Sequence, residues 1–144
     1  MSHSKVKIWI HGIIGVKNRE NLITENVESK IHNLIKSQFI EIGCFVEEIN
    51  GTKNHIHVLF LLNPQKTVSE IFKQVKEAVS HKINSENLIN NKFSWQSGYG
   101  AFSVSESNVE TTKNYIKNQK QHHKKMTFQE EYEKFIKLYK VENR

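Results

Sequence analysis

The sequence predicts an α+β fold: a ferredoxin-like (RRM-like) antiparallel sheet in the order β-α-β-β-α-β, followed by C-terminal helices. Three observations predict it. Four short stretches rich in β-branched and aromatic residues read as strands. The segments between and after them carry apolar residues at helical spacing. An Asn/Gly-rich turn joins the second strand directly to the third.

The elements follow in order. Residues 6–14 surround Trp9 with Val and Ile, which suits a pleated surface. From Thr24 to Phe39, the residues Val27, Ile31, Leu34, Ile35 and Phe39 keep a helical period. Residues 43–49 predict a second strand. Asn50-Gly51-Thr52-Lys53-Asn54 then turns the chain, because Asn and Gly tolerate positive φ. Residues 55–62 return as the third strand. Thr67 and Glu70 have capping-box spacing and open a helix with the stripe Val68, Ile71, Phe72, Val75 and Val79. Polar residues 84–96 predict a loop, and 101–104 a short fourth strand. Ser107 and Glu110 repeat the box spacing before a helix expected to run to about His123. Thr127 and Glu130 open a last helix with Phe128, Tyr132, Phe135 and Tyr139 on one face.

With 144 residues, one proline and no Gly/Ser-rich linker, the chain is expected to form one domain, 1–144. Its 37% hydrophobic and 25% charged residues fit a folded domain rather than a disordered chain. A formal charge of +6 favours a polyanionic partner. The single cysteine, Cys44, excludes an intrachain disulfide and sits in an apolar run, where it is expected to be buried. Met1-Ser2-His3-Ser4-Lys5 leads directly toward the first strand without the apolar core of a signal peptide, and no apolar run approaches a membrane span. The expectation is a cytoplasmic protein with no membrane partner.

Two constellations carry chemistry. In His55-Ile56-His57, strand alternation puts both imidazoles on one face, close enough to share a metal ion. The run Val58-Leu59-Phe60-Leu61-Leu62 marks the strand as central, and buried imidazoles need polar partners. In the helix after Ser107, Tyr115 and Gln119 are four apart and lie one turn from each other. A tyrosine hydroxyl can accept a phosphoryl group, and an amide oxygen can be a third metal ligand. Three neutral donors would leave a divalent ion its full charge for phosphate oxygens. Between Thr111 and Gln129 there is no acidic residue, whereas Lys113, Lys117, Lys120, Lys124 and Lys125 lie there with His122 and His123. That charge flanks the candidate nucleophile, where a phosphate backbone would run.

These residues resemble the single-tyrosine HUH transposases of small bacterial insertion sequences, a family that includes REP-associated tyrosine transposases. The resembling stretches are VKNRENLI at 16–23, NGTKNHIHVL at 50–59, WQSGYGAFSV at 95–104 and NYIKNQ at 114–119. The match spans nearly the whole chain, with the stretches in the right order. The resemblance implies that His55, His57 and Gln119 bind Mg²⁺ or Mn²⁺ and that Tyr115 is the nucleophile. It implies single-stranded DNA with hairpin ends as substrate, with Lys17, Arg19, Lys53, Lys113, Lys117 and Lys120 as DNA contacts. It also implies a homodimer, in which the tyrosine helix of one subunit often completes the other's site. The expected reaction leaves a 5′-phosphotyrosine and a free 3′-OH, which conserves the bond energy. This agrees with the absence of a Walker loop. No general base is evident in the sequence. Gly12 and Gly15 depart from the bulkier residues expected in the first strand, and Phe102-Ser103-Val104-Ser105 lacks the glycines many relatives carry there. The competing readings are a non-catalytic nucleic-acid-binding ferredoxin-like module, and a domesticated relative that binds hairpin DNA without transposition.

Overall fold

The computed structural model describes residues 4–141. Its four strands are β1 (Trp9–Gly15), β2 (Phe45–Gly51), β3 (His55–Leu61) and β4 (Gly100–Val104). They form one antiparallel sheet in the spatial order β2-β3-β1-β4. Helix α1 (Glu25–Glu41) connects β1 to β2, and α2 (Val68–Ser85) connects β3 to β4. Helices α3 (Val109–Lys117), α4 (Gln119–His122) and α5 (Phe128–Leu138) follow. The fold is the α+β, ferredoxin-like arrangement with C-terminal helices that the sequence predicts. Both ends of the expected 1–144 domain, and Met1-Ser2-His3 of the N-terminal reading, lie outside the described residues.

Helices cover both faces of the sheet, and alternation decides which side chains go where. Ile10, Ile14, Val46, Ile56, Val58 and Phe60 pack with Ile31, Ile35 and Phe39 of α1 and with Ile71, Phe72, Val75 and Val79 of α2. The opposite face carries Trp9, Ile13, Leu59 and Phe102, which meet Ile116 of α3 and Phe128 of α5. The same face carries His11, His55 and His57, all buried. Gly12 faces the first core, where a Cβ would lie 2.6 Å from the Phe72 ring. That contact leaves no room for the bulkier residue expected there. Cys44 is buried, as predicted. Among the described residues, no helix is long and apolar enough to cross a membrane.

Two of the three predicted capping boxes form. Thr67 Oγ1 accepts from Glu70 N at 3.1 Å and Thr127 Oγ1 from Glu130 N at 3.1 Å, with each glutamate reaching back to the cap N–H. Each cap contributes about 1 kcal/mol. The Ser107/Glu110 box does not form. Glu106 is drawn back to Lys7 Nζ (2.6 Å) and Trp9 Nε1 (2.5 Å), so residues 106–108 make a 3-10 turn and Asn108 starts α3 without a side-chain cap. The helix expected to reach His123 also breaks at Asn118. Asn50 Nδ2 donates to Lys117 O at 2.9 Å, and Gln121 N turns to Asn118 O instead. The first strand starts at Trp9 rather than at residue 6, because its partners Leu61 and Val104 are the last residues of their strands.

Candidate active site

His55 and His57 open β3 on the sheet face turned toward α3 and α5. Both are fully buried, with ring centroids 5.1 Å apart. The break at Asn118 lets Gln119 begin a new helical turn and point inward, where it too is fully buried. Tyr115 reaches the same point from α3. The residue that gathers them is Glu131 of α5, 1% exposed. Its Oε1 lies 2.9 Å from His57 Nε2, 3.0 Å from His123 Nε2 and 3.3 Å from His55 Nε2. Its Oε2 accepts from Gln119 Nε2 at 3.0 Å and from the Tyr115 hydroxyl. Gln119 Oε1 lies 3.2 Å from His55 Nε2. Behind the pair, His11 Nε2 of β1 lies 2.7 Å from His57 Nδ1.

Burial dominates the titration of the imidazoles. It pushes His55 down to about 4 and lowers His57 and His11 as well, so the rings are neutral, the form that binds metal. Burial pulls the Glu131 carboxyl upward, but the adjacent imidazoles of His123, His55 and His57 outweigh it and hold the group well below the usual range. Tyr115 is pushed above its ordinary value by burial, then by its hydrogen bond to Glu131 and that carboxylate's charge.

The donor chemistry fits a divalent cation. His55 Nδ1 lies 2.8 Å from Asn54 Oδ1, which can only accept, so Nδ1 carries the ring proton. A neutral His55 therefore aims its Nε2 lone pair at Gln119 Oε1 and Glu131 Oε1, which are also acceptors. Lone pairs of nitrogen, amide oxygen and carboxylate oxygen converge, with the far nitrogen of the ring held by a hydrogen bond. A bound cation is what such an arrangement satisfies. The donor atoms of His55, His57, His123 and Glu131 lie within 4.8 Å of one another. Beside the neutral donors expected from the sequence, a carboxylate, Glu131, lies within reach of the same point.

The fold brings Tyr115, Gln119, His55 and His57 together within one chain. It treats the expected DNA contacts differently from one another. Lys113 is tied to Glu47 at 3.2 Å, and Lys120 to Glu28 at 2.5 Å and Asn50 Oδ1 at 2.9 Å. Lys17, Arg19, Lys53 and Lys117 are exposed. Lys53 shares a concavity beside His123 with Lys124 and Lys125. Sequence reasoning missed Glu131, His123 and His11 as members of the site. One signal for Glu131 was available: an acidic residue on the apolar stripe of Phe128, Tyr132 and Phe135.

Comparison with known proteins gives a family and a fold. A family model described as IS200-like transposase matches residues 4–119. No curated protein matches the chain. A solved structure of a candidate transposase from Deinococcus radiodurans R1 superposes with a TM-score of 0.67 at 18% identity, covering 83% of this chain and 95% of the other. A REP-associated tyrosine transposase bound to a REP hairpin superposes with a TM-score of 0.64 at 13% identity, covering 85% and 74%. At such identities the likeness is one of fold. His123 and Glu131 lie beyond the matched segment.

Proposed function

The chain belongs to the IS200-like transposase family, and from that membership we propose that it cuts and rejoins single-stranded DNA through Tyr115. The observation that carries this reading is the meeting of the Tyr115 hydroxyl, the Gln119 amide and the His55/His57 pair around one buried carboxylate. The substrate class is single-stranded DNA with hairpin ends, as with the REP hairpin held by the structural neighbour. The working unit is residues 1–144 as one domain, acting as a homodimer in the bacterial cytoplasm.

His55, His57 and Gln119 would hold the ion, Mg²⁺ or Mn²⁺, with His123 and Glu131 within reach of the same point. Such an ion supplies positive charge that offsets the charge developing on phosphate and favours the tyrosinate. The chain's own residues do the rest. Tyr115 Oη forms a bond to phosphorus, and the bond from phosphorus to the 3′ oxygen breaks. Glu131 Oε2 accepts the hydrogen bond of the Tyr115 hydroxyl and orients it, and the proton given up by Tyr115 is balanced by the one the leaving 3′ oxygen takes up as it becomes the free 3′-OH. Rejoining reverses the exchange with a second 3′-OH, so no nucleotide cofactor is consumed. Phe128 stacks on His55 at 4.1 Å and His122 on Tyr115 at 4.5 Å, which fixes the orientation of both rings.

Tyr115→Phe tests the reading. The substitution keeps the ring and should leave folding and DNA binding nearly intact. It should abolish the metal-dependent, detergent-resistant protein–DNA adduct that the wild type forms on the 5′ side of the cut. An adduct mapped by peptide mass spectrometry to Tyr99, Tyr132 or Tyr139, or wild-type cutting by the variant, overturns it.

A further inference from the structure

A second concavity borders the Phe128 ring. One face of that ring stacks on His55, 4.1 Å away with 6° between the planes. Phe128 is also part of the wall of a cavity of about 220 Å³, together with Tyr132, Ile13 and the exposed Tyr99. Two glycines make this wall possible. A Cβ on Gly15 would lie 2.7 Å from the Phe128 ring, and one on Gly100 would lie 2.9 Å from the Tyr132 ring. The rings therefore rest directly on the backbones of β1 and β4. The departure at Gly15, unexplained by the strand itself, belongs to this cavity.

The edges are polar. The Gln96 and Gln129 side chains and Ser97 line the cavity, and Arg19 stands at its rim. Arg19 Nη2 donates to Gln129 Oε1, which ties the rim to α5. Beyond Arg19 the concavity continues between Lys17, Asn18 and the strip from Ser94 to Ser97. Asn18 and Arg19 both have left-handed backbones, with φ of 57° and 54°. Both conformations are strained for non-glycine residues. That turn is what sets Lys17 and Arg19 side by side along the cleft. Among the described residues no acidic side chain lines either lobe, whereas the concavity beside His123 also contains Glu25, Glu28 and Glu130.

We propose that this cleft is a nucleotide-specificity pocket: its inner lobe takes the base of one unpaired nucleotide next to the scissile phosphate, and Arg19 and Lys17 hold the phosphates that flank it. The proposal rests on the reading of the chain as an enzyme of single-stranded DNA. The inner lobe is smaller than the roughly 300–1,000 Å³ of pockets for drug-sized ligands and suits a single ring system. Aromatic walls stack an unpaired base, and amide side chains read its hydrogen-bonding edge. Adjacency to the reaction follows from the Phe128 ring, which lines the cavity and also stacks on a candidate metal ligand, His55.

The probes are the four deoxynucleoside 5′-monophosphates, the four short DNA homopolymers, and an abasic deoxyribose-phosphate oligomer of equal length. The variants are Ser97→Leu, which fills the mouth, and Gln129→Leu, both at exposed positions, with folding checked by amide NMR spectra. In the wild type, one monophosphate should shift the amide signals of Ile13, Gly100 and Tyr132 more than the other three do. One homopolymer should bind on the order of tenfold more tightly than the abasic oligomer. Ser97→Leu should erase that preference while keeping the affinity for the abasic oligomer. Equal binding of all homopolymers and the abasic oligomer by the wild type, or an undiminished preference in Ser97→Leu, overturns the pocket alone. Failure to bind any of the oligomers overturns the single-stranded DNA reading and the pocket with it.

Discussion

Glu131→Gln changes one carboxylate oxygen into an amide nitrogen at the centre of the site, with almost no change in volume. The carboxylate is 1% exposed and faces His57 and His123 at 2.9 and 3.0 Å through Oε1, and the Gln119 amide at 3.0 Å and the Tyr115 hydroxyl through Oε2. Hydrogen bonds to a charged group contribute about 1.5–3 kcal/mol each. The substituted amide keeps one acceptor oxygen, so the two contacts at the other position are lost as charge-assisted bonds. Its N–H can still donate to a neutral imidazole, which returns part of the loss and leaves a net cost of about 3 kcal/mol. For 144 residues, an unfolding entropy of about 2.1 cal/mol/K per residue gives about 0.3 kcal/mol/K, so Tm should fall by about 10 °C. Thermal melts followed by circular dichroism in chelator measure this. Calorimetric titration with Mn²⁺ should show affinity falling at least about tenfold. A Tm within a few degrees of wild type would refute the claim that Glu131 holds the site together. A lowered Tm with unchanged Mn²⁺ affinity would refute its part in the metal shell.

The metal-free protein should lose stability on acidification. Burial keeps His55 neutral down to about 4, while the unfolded chain takes up the proton near 6.5, so the stability present above pH 6.5 is lost progressively as pH falls toward 4. A Tm that stays flat through that window in chelator contradicts the assignment. Lys53→Ala, Lys124→Ala and Lys125→Ala should each flatten the salt dependence of single-stranded DNA binding by about 0.7 in the log–log slope. Lys113→Ala should change it less, because Glu47 already holds that ammonium. Fluorescence anisotropy over a salt series distinguishes these, and equal effects would remove the distinction. Light scattering at micromolar concentration should give about twice the 16.9 kDa chain mass. A strict monomer would refute the homodimer and leave Tyr115 to serve the histidine pair of its own chain.

Short-range patterns were decisive wherever neighbours along the chain make the contact. The two-residue strand period put His55 and His57 on one face whatever packed against them. The boxes at Thr67/Glu70 and Thr127/Glu130 formed because each is closed within four residues. The Ser107/Glu110 spacing is the same, yet its box was lost to Lys7 and Trp9, about a hundred residues upstream of the Glu106 they bind. The predicted long tyrosine helix failed for a similar reason. Its period was sound, but the Asn50 side chain, 67 residues away, took the Lys117 carbonyl.

The order of elements, the histidine pair and the Tyr115/Gln119 spacing could therefore be read from residue types and periods alone. The identity of the group that unites them could not. Glu131 reaches His57 across 74 residues and Tyr115 across 16, and it reads locally as one more acid in a capped helix. The convergence exists only because α5 lays its apolar stripe on β1 and β4, where Gly15 and Gly100 let Phe128 and Tyr132 sit against the backbone. The same docking carries Glu131 out of water and into the imidazoles. A carboxylate's interaction with a neutral imidazole is weak in water and strong once both are desolvated. That strength arises from burial, and tertiary packing alone creates the burial.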